Sequence, residues 1–173
     1  IPDHAGGDSI PELDERLMAT PAVAMERCHE VTMNMGFTSV RATRNAMHEL
    51  KNHDVKRAES IREDERTADR YEDELGTYLV KLSGCHLSDQ DRVEAAELLH
   101  MIGDFERISD HAVNILESTE ELRGKGIAFT QPAIEEMSKM FGAVDEIMDL
   151  ALTAFIHRDL SAAREVEPLE QVV

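Results

Sequence analysis

Lys51-Asn52-His53-Asp54 is a polar break between two long stretches, 22–50 and 55–82, that contain no proline. Asp54 is placed to cap the second stretch as a helix beginning at Val55, and Thr20-Pro21 marks the start of the first, a capping residue followed by proline at the first helical position. Working outward, Ser83-Gly84 closes the second helix and Ser88 caps a third over 89–123. Gly124-Lys125-Gly126 ends that helix, with glycine as the usual residue beyond a helix C-terminus. A fourth is predicted over 131–157, and Asp159 opens a fifth that runs to the chain end. Long helices joined by short polar turns lie antiparallel, so the fold predicted is an all-α, up-down helical bundle. Nothing in the chain reads as a strand.

The same turn occurs twice. A shift of 105 residues places Asn52-His53-Asp54-Val55 on His157-Arg158-Asp159-Leu160, with Ala58 on Ala163, Ile61 on Val166 and Glu65 on Glu170. The organisation read from this is a linker over 1–21, a three-helix repeat over 22–126, and the start of a second repeat over 127–173 that lacks its third helix. Helices 4 and 5 are then expected to expose Leu150, Leu152, Phe155 and Leu169 and to promote self-association into a homo-oligomer. The chain opens on Ile1 rather than Met, so a piece of a longer protein is expected.

Composition narrows the chemistry. The net charge is −18, from 18 basic and 36 acidic residues. Such a chain repels a phosphate backbone, which excludes nucleic acid as a partner, and it attracts cations. No run of about 20 apolar residues exists to span a membrane. Cys28 and Cys85 are each followed by His, but in neither a CxxC nor a CxxH pattern, and they read as reduced thiols. A zinc set of Cys28, His29, Cys85 and His86 is disfavoured, because adjacent helix residues diverge by about 100°.

Most of the acids belong to solvated helix surface. Two pairs do not fit that reading. Glu65-Arg66-Thr67-Ala68-Asp69 and Glu106-Arg107-Ile108-Ser109-Asp110 are both ExxxD, which puts two carboxylates on one helix face, one turn apart. On the second helix Ile61, Ala68, Tyr71, Leu75, Tyr78 and Leu79 mark the buried arc, with Glu65 and Glu72 inside it and Asp69 at its edge. On the third, Leu98, Met101, Phe105, Ile108, Ala112 and Ile115 mark the core, and Glu106 and Asp110 flank it. Gly103 and Asn114 continue that line, Gly103 leaving room for close approach. Like charges so placed repel, and a cation with oxygen ligands relieves them. The competing reading pairs them with Arg66, Arg107 and lysines at a bundle edge. A ferritin-like di-iron oxidase would require repeated Glu-x-x-His; Glu26-x-x-His29 has that spacing, but neither ExxxD motif carries it. No nucleophile, base and orienting group converge, so no enzyme is read.

The stretch Leu99-His100-Met101-Ile102-Gly103-Asp104-Phe105-Glu106-Arg107-Ile108-Ser109-Asp110-His111-Ala112-Val113-Asn114-Ile115 resembles the signature helix of the PhoU family. Glu63 to Glu72 resembles the acidic helix that precedes it there. The resemblance implies two three-helix bundles related by pseudo-symmetry, with metal ions held by the ExxxD motifs. Here that falls on Glu65, Asp69, Glu106 and Asp110, with Glu72 and Asn114 beside them and Glu170 opening the motif of the second repeat. Iron, manganese, zinc or magnesium are the candidate ions. Leu13 to Ala24 and Glu72 to Leu82 resemble, in addition, the PhoU-like domain that follows the membrane part of sodium/phosphate cotransporters. They imply a regulatory domain tethered at the cytoplasmic face of the inner membrane, with the transporter's membrane domain as its partner. Alternatives are a free-standing PhoU-type regulator and a metal-free helical adaptor.

Overall fold

The computed structural model describes residues 13–171. Five α-helices follow a short 3-10 turn at Glu15–Ala19: α1 (Pro21–Glu49), α2 (Val55–Ser83), α3 (Asp89–Gly124), α4 (Gln131–His157) and α5 (Leu160–Glu170). The helices begin where the capping residues predict. Asp54 accepts from the Lys56 amide, Ser88 from the Asp91 amide, and Asp159 from the amides of Ser161 and Ala162. Each side chain satisfies a backbone donor that has no partner inside its own helix. Thr20 makes no such bond; its backbone amide instead closes the preceding turn on the Leu17 carbonyl. The left-handed residue after α3 is Gly126 (φ 66°), while Gly84 keeps an ordinary right-handed conformation.

α1, α2 and α3 pack on one another along their lengths, and α5 packs against α4. The main core joins Cys28, Val31 and Met35 of α1 to Leu75, Leu79 and Leu82 of α2 and to Leu98, Ile102 and Phe105 of α3. A second cluster lies towards the α1–α2 turn, built from Ala42, Ala46, Ala58, Ile61, Ala112 and Leu116. Its alanines let the helix backbones approach closely. Gly36 serves the same end where α4 meets the bundle: a Cβ there would stand 2.8 Å from Phe105 Cζ and 3.1 Å from Leu152 Cδ2.

The α1–α2 turn is tied by a carboxylate. Glu49 is 1% exposed. It accepts from the Asp54 amide at 3.1 Å and from Arg57 Nη1 at 3.0 Å, and lies 2.9 Å from His53 Nδ1. A buried charge is tolerable only when its oxygens are satisfied in this way.

Two sequence expectations change. The reading of 1–21 as linker falls outside the described residues as far as 12. From Leu13 onward the segment is docked, with Leu13, Leu17 and Met18 against the core and Tyr78 Oη donating to the Asp14 carbonyl at 2.9 Å. In the α4–α5 hairpin, Leu152 is buried in the Gly36 slot, and Phe155 stacks on His29 at 4.8 Å, so neither is left exposed. Leu150 and Leu169 are half-buried. The physical reason is that α4 lies on α1 as well as on α5, so Leu152 and Phe155 are covered without a further helix, while Met140 on the same helix is 44% exposed.

Candidate functional site: a carboxylate band on two helices

α2 and α3 run side by side in the bundle, and the carboxylates of their ExxxD motifs lie near enough across the seam to act on one another's charge. Burial pushes the Glu65 carboxyl up from its ordinary range, and the charges of Asp110 on α3 and Asp69 on α2 push it further. Glu106 moves in the same direction through burial, then through the charge of Asp110 and a side-chain hydrogen bond with it, then through Glu72 and Asp69. Asp110 thus acts on both helices' glutamates. Glu65, Asp69, Glu72, Glu106 and Asp110 form one electrostatic unit, in which each negative charge opposes the next.

The cations nearest in sequence are engaged elsewhere. Arg66 Nη2 pairs with Glu59 at 3.0 Å and Glu63 at 2.8 Å. Arg107 lies 3.8 Å from Asp104. Both arginines are exposed; the charge of Arg66 still draws the Glu65 carboxyl partly back down, as the bundle-edge reading has it, while its ion pairs are with Glu59 and Glu63.

Asn114 and Glu170 stand apart from the band. Asn114 is exposed further along α3, where its carbonyl accepts from Ser118 Oγ, and it borders a shallow hollow with Leu50 and His111. Glu170 is exposed at the end of α5 and contributes nothing to the shifts of Glu65 or Glu106. Gly103 has open space where a Cβ would go, so it supports no close approach; Gly36 does. The donor chemistry of the band suits a hard cation, but the side chains are spread along the seam. Among the described residues no three His, Cys, Asp or Glu side chains gather as a ligand set. The Cys–His pairs do not assemble either. Cys28 is buried, its thiol pushed up to about 12, whereas His86 is exposed.

Two buried acids escaped the sequence reading, Glu49 and Asp64. Asp64 receives Arg41 Nη2 at 2.6 Å and Nε at 3.1 Å, a two-pronged bond between α1 and α2. A signal existed in that Asp64 lies three residues after Ile61 and four before Ala68, on the core row.

Residues 32–119 match the PhoU domain family. That span runs from α1 into α3 and holds every member of the carboxylate band. This chain belongs to the PhoU family. Among curated proteins, this PhoU domain is 24% identical over 148 residues to a protein of Clostridium acetobutylicum named phosphate-specific transport system accessory protein PhoU homolog. The alignment covers 82% of this chain and 64% of that relative, so the chain spans less than two thirds of the relative's length. No solved structure matches it. No helix among the described residues is long and apolar enough to cross a membrane.

Proposed function

We propose that this PhoU-family domain is a non-catalytic regulator of phosphate uptake, working as the PhoU-like domain of a sodium-dependent phosphate transporter at the cytoplasmic face of the inner membrane. It restrains or tunes phosphate entry by contact with the transporter's membrane domain. One observation supports the transporter context best. The two flanking stretches that resemble the cotransporter version, 13–24 and 72–82, touch each other: Tyr78 donates to the Asp14 carbonyl at 2.9 Å and Lys81 Nζ pairs with Glu15 at 2.5 Å. Features that occur together in sequence also form one contact. The name of the Clostridium relative favours a second reading, a separate accessory protein.

The test is deletion of residues 13–173 from the intact protein, read by uptake of labelled phosphate. Uptake persists and its response to external phosphate is lost. Complete loss of uptake despite normal insertion would make the domain part of the transport machinery. An intact protein that stays in the supernatant when cell membranes are sedimented supports the separate accessory protein instead.

The same proposal includes a divalent or trivalent cation, iron, manganese, zinc or magnesium, at Glu65, Asp69, Glu106 and Asp110. Mutual repulsion in the band supports it, and the ion would draw the spread carboxylates together. A ligand bound only by the folded state stabilises it, so metal at a hundredfold above Kd raises Tm by about 5 °C or more. Asp110→Asn and Glu106→Gln reduce that rise. Glu117→Gln, on the same helix and outside the motif, is the control, since Glu120 is held by Arg62 at 2.7 Å. A melting curve that no metal moves, up to millimolar concentration, leaves the metal-free adaptor.

A further inference from the structure

We propose that residues 13–20 form a strap with a docked and a released state, that release uncovers Cys28 at one end of the α1–α2 seam, and that the strap passes movement of an attached membrane domain to the bundle. The last part deepens the regulatory reading and rests on it; the first two do not.

The strap is built to move as a piece. Asp14 Oδ1 accepts from the Arg16 amide at 2.9 Å, and Asp14 Oδ2 from Arg16 Nε at 2.8 Å. The Leu17 amide donates to the Asp14 carbonyl at 3.0 Å, and the Thr20 amide to the Leu17 carbonyl at 2.8 Å. All of these bonds are internal, so they survive when the strap lifts. The joint to α1 is Thr20, whose side chain makes no capping bond, followed by Pro21 in the first helical turn.

Its hold on the bundle is slight. No residue from 13 to 20 is buried; Leu13, Leu17 and Met18 rest half-buried on the main core. Two polar links join the strap to α2. Tyr78 Oη donates to the Asp14 carbonyl at 2.9 Å, and Lys81 pairs with Glu15 through two exposed side chains, a contact that water and salt weaken. Beside these links the strap stands off α2 over a hollow of about 430 Å³, lined by Leu13, Glu15, Thr77, Tyr78 and Lys81. Release hands the Tyr78 hydroxyl to water and leaves the Asp14 carbonyl its bond from Leu17, so no buried donor is stranded.

The core beneath supplies a reporter. Cys28 is fully buried, in the cluster on which the strap rests, and lies close enough to Tyr78 for its charge to act on the phenol. Burial pushes the Cys28 thiol up to about 12. In the docked state it therefore lacks both access and thiolate, the two things that a thiol reagent needs. Lifting the strap restores both.

The experiment uses the full 173-residue chain with Cys85→Ser, which leaves Cys28 as its one thiol. The readout is the rate at which a chromogenic disulfide reagent labels it. Tyr78→Phe with Glu15→Ala removes both polar links and labels at least fivefold faster than the parent, with unchanged far-UV circular dichroism. Ile61→Val weakens the other core cluster, towards the α1–α2 turn, and labels at the parent's rate. No acceleration by the strap variant overturns the proposal. Equal acceleration by Ile61→Val does so too, since Cys28 would then be reached only through global unfolding. This readout is independent of any transporter. In the intact protein, the same strap variant shifts the response of labelled-phosphate uptake to external phosphate at least twofold. An unchanged response there, where deletion of residues 13–173 abolishes it, removes the strap's part in signalling. If the deletion also leaves the response intact, the regulatory reading is what fails, and the labelling alone decides the strap.

Discussion

The three-helix bundle and the α4–α5 hairpin are both helical, yet they are held by different means. In α1 to α3 nearly every inward position is a buried apolar or small residue, and the seams run the length of the helices. In the hairpin only Met148, Leu152 and Ala162 are buried. Its attachment is one half-buried strip of α4, with Leu152 in the slot at Gly36 and Phe141, Val144 and Ile156 beside it, together with a ring stack on His29 and ion pairs from Arg44 and Arg158. The bundle is held by broad area and the hairpin by a narrow strip and points. Area gives cooperative stability, whereas point contacts that involve exposed charges contribute about 1 kcal/mol or less each. The hairpin is the part of the molecule that opens at lowest free energy.

The largest effect that sharpens this contrast is in the bundle. Leu79→Ala, at a fully buried site, costs about 3 kcal/mol of unfolding free energy in urea. Leu150→Ala on α4 costs less than about 1 kcal/mol. Equal losses would mean that the hairpin folds as part of the same core.

Next comes the hairpin latch. Arg44 reaches Asp145 at 2.5 Å and Asp149 at 2.6 Å, two acids one turn apart on α4. Arg44→Met leaves global stability within about 1 kcal/mol. It speeds amide hydrogen exchange in α4 and α5 but not in the centres of α2 and α3, and salt does the same in the parent protein. Uniform acceleration through all five helices would erase the distinction.

The smallest effect lies in the carboxylate band. Glu65 and Glu106 both have folded pKa values above the ordinary 4.5. The folded state therefore binds protons more tightly at these sites than the unfolded chain. Their contribution is fully present below pH 4.5 and is lost as pH rises through the folded values. In metal-free buffer at pH 7, Glu65→Gln with Glu106→Gln is more stable than the parent by about 0.5 kcal/mol. The gain disappears as pH falls to about 4.5. A gain that stays constant with pH would point to helix propensity rather than repulsion.

The helix boundaries were legible because capping is local: Asp54, Ser88 and Asp159 each act on amides two or three residues away. The core of α3 was legible only in part. Its buried row is Ala95, Leu98, Ile102, Phe105, Ser109, Ala112, Leu116 and Thr119. Hydrophobicity alone drew the row through Met101, Ile108 and Ile115, which are half-buried. Ser109 and Thr119 look like surface residues until the helices are packed, and Ser109 Oγ has no hydrogen-bond partner in its buried place. The carboxylate band could be read because both motifs repeat the same spacing. Glu49 could not, and Asp64 only through its place on the core row, since an acid is buried only with its partner, and here each arginine, Arg57 for Glu49 and Arg41 for Asp64, comes from the other helix of the α1–α2 pair. The cover on Leu152 and Phe155 depended on where α4 docks, which no local pattern states.

The hydroxyls of α1 have a mechanical consequence. Thr32, Thr38, Ser39 and Thr43 each donate to the carbonyl four residues back in their own helix. Only Thr43 also reaches across to α3, at 3.4 Å from the Ile108 carbonyl. Along the α1–α3 seam almost no polar bond fixes one helix against the other, so their register is a matter of shape. Sliding α3 along α1 meets steric resistance chiefly where Phe105 fits against Gly36, like a pin in a notch. Any side chain at position 36 would press on Phe105 and Leu152 together, so this one glycine sets both the register of α3 on α1 and the seat of α4.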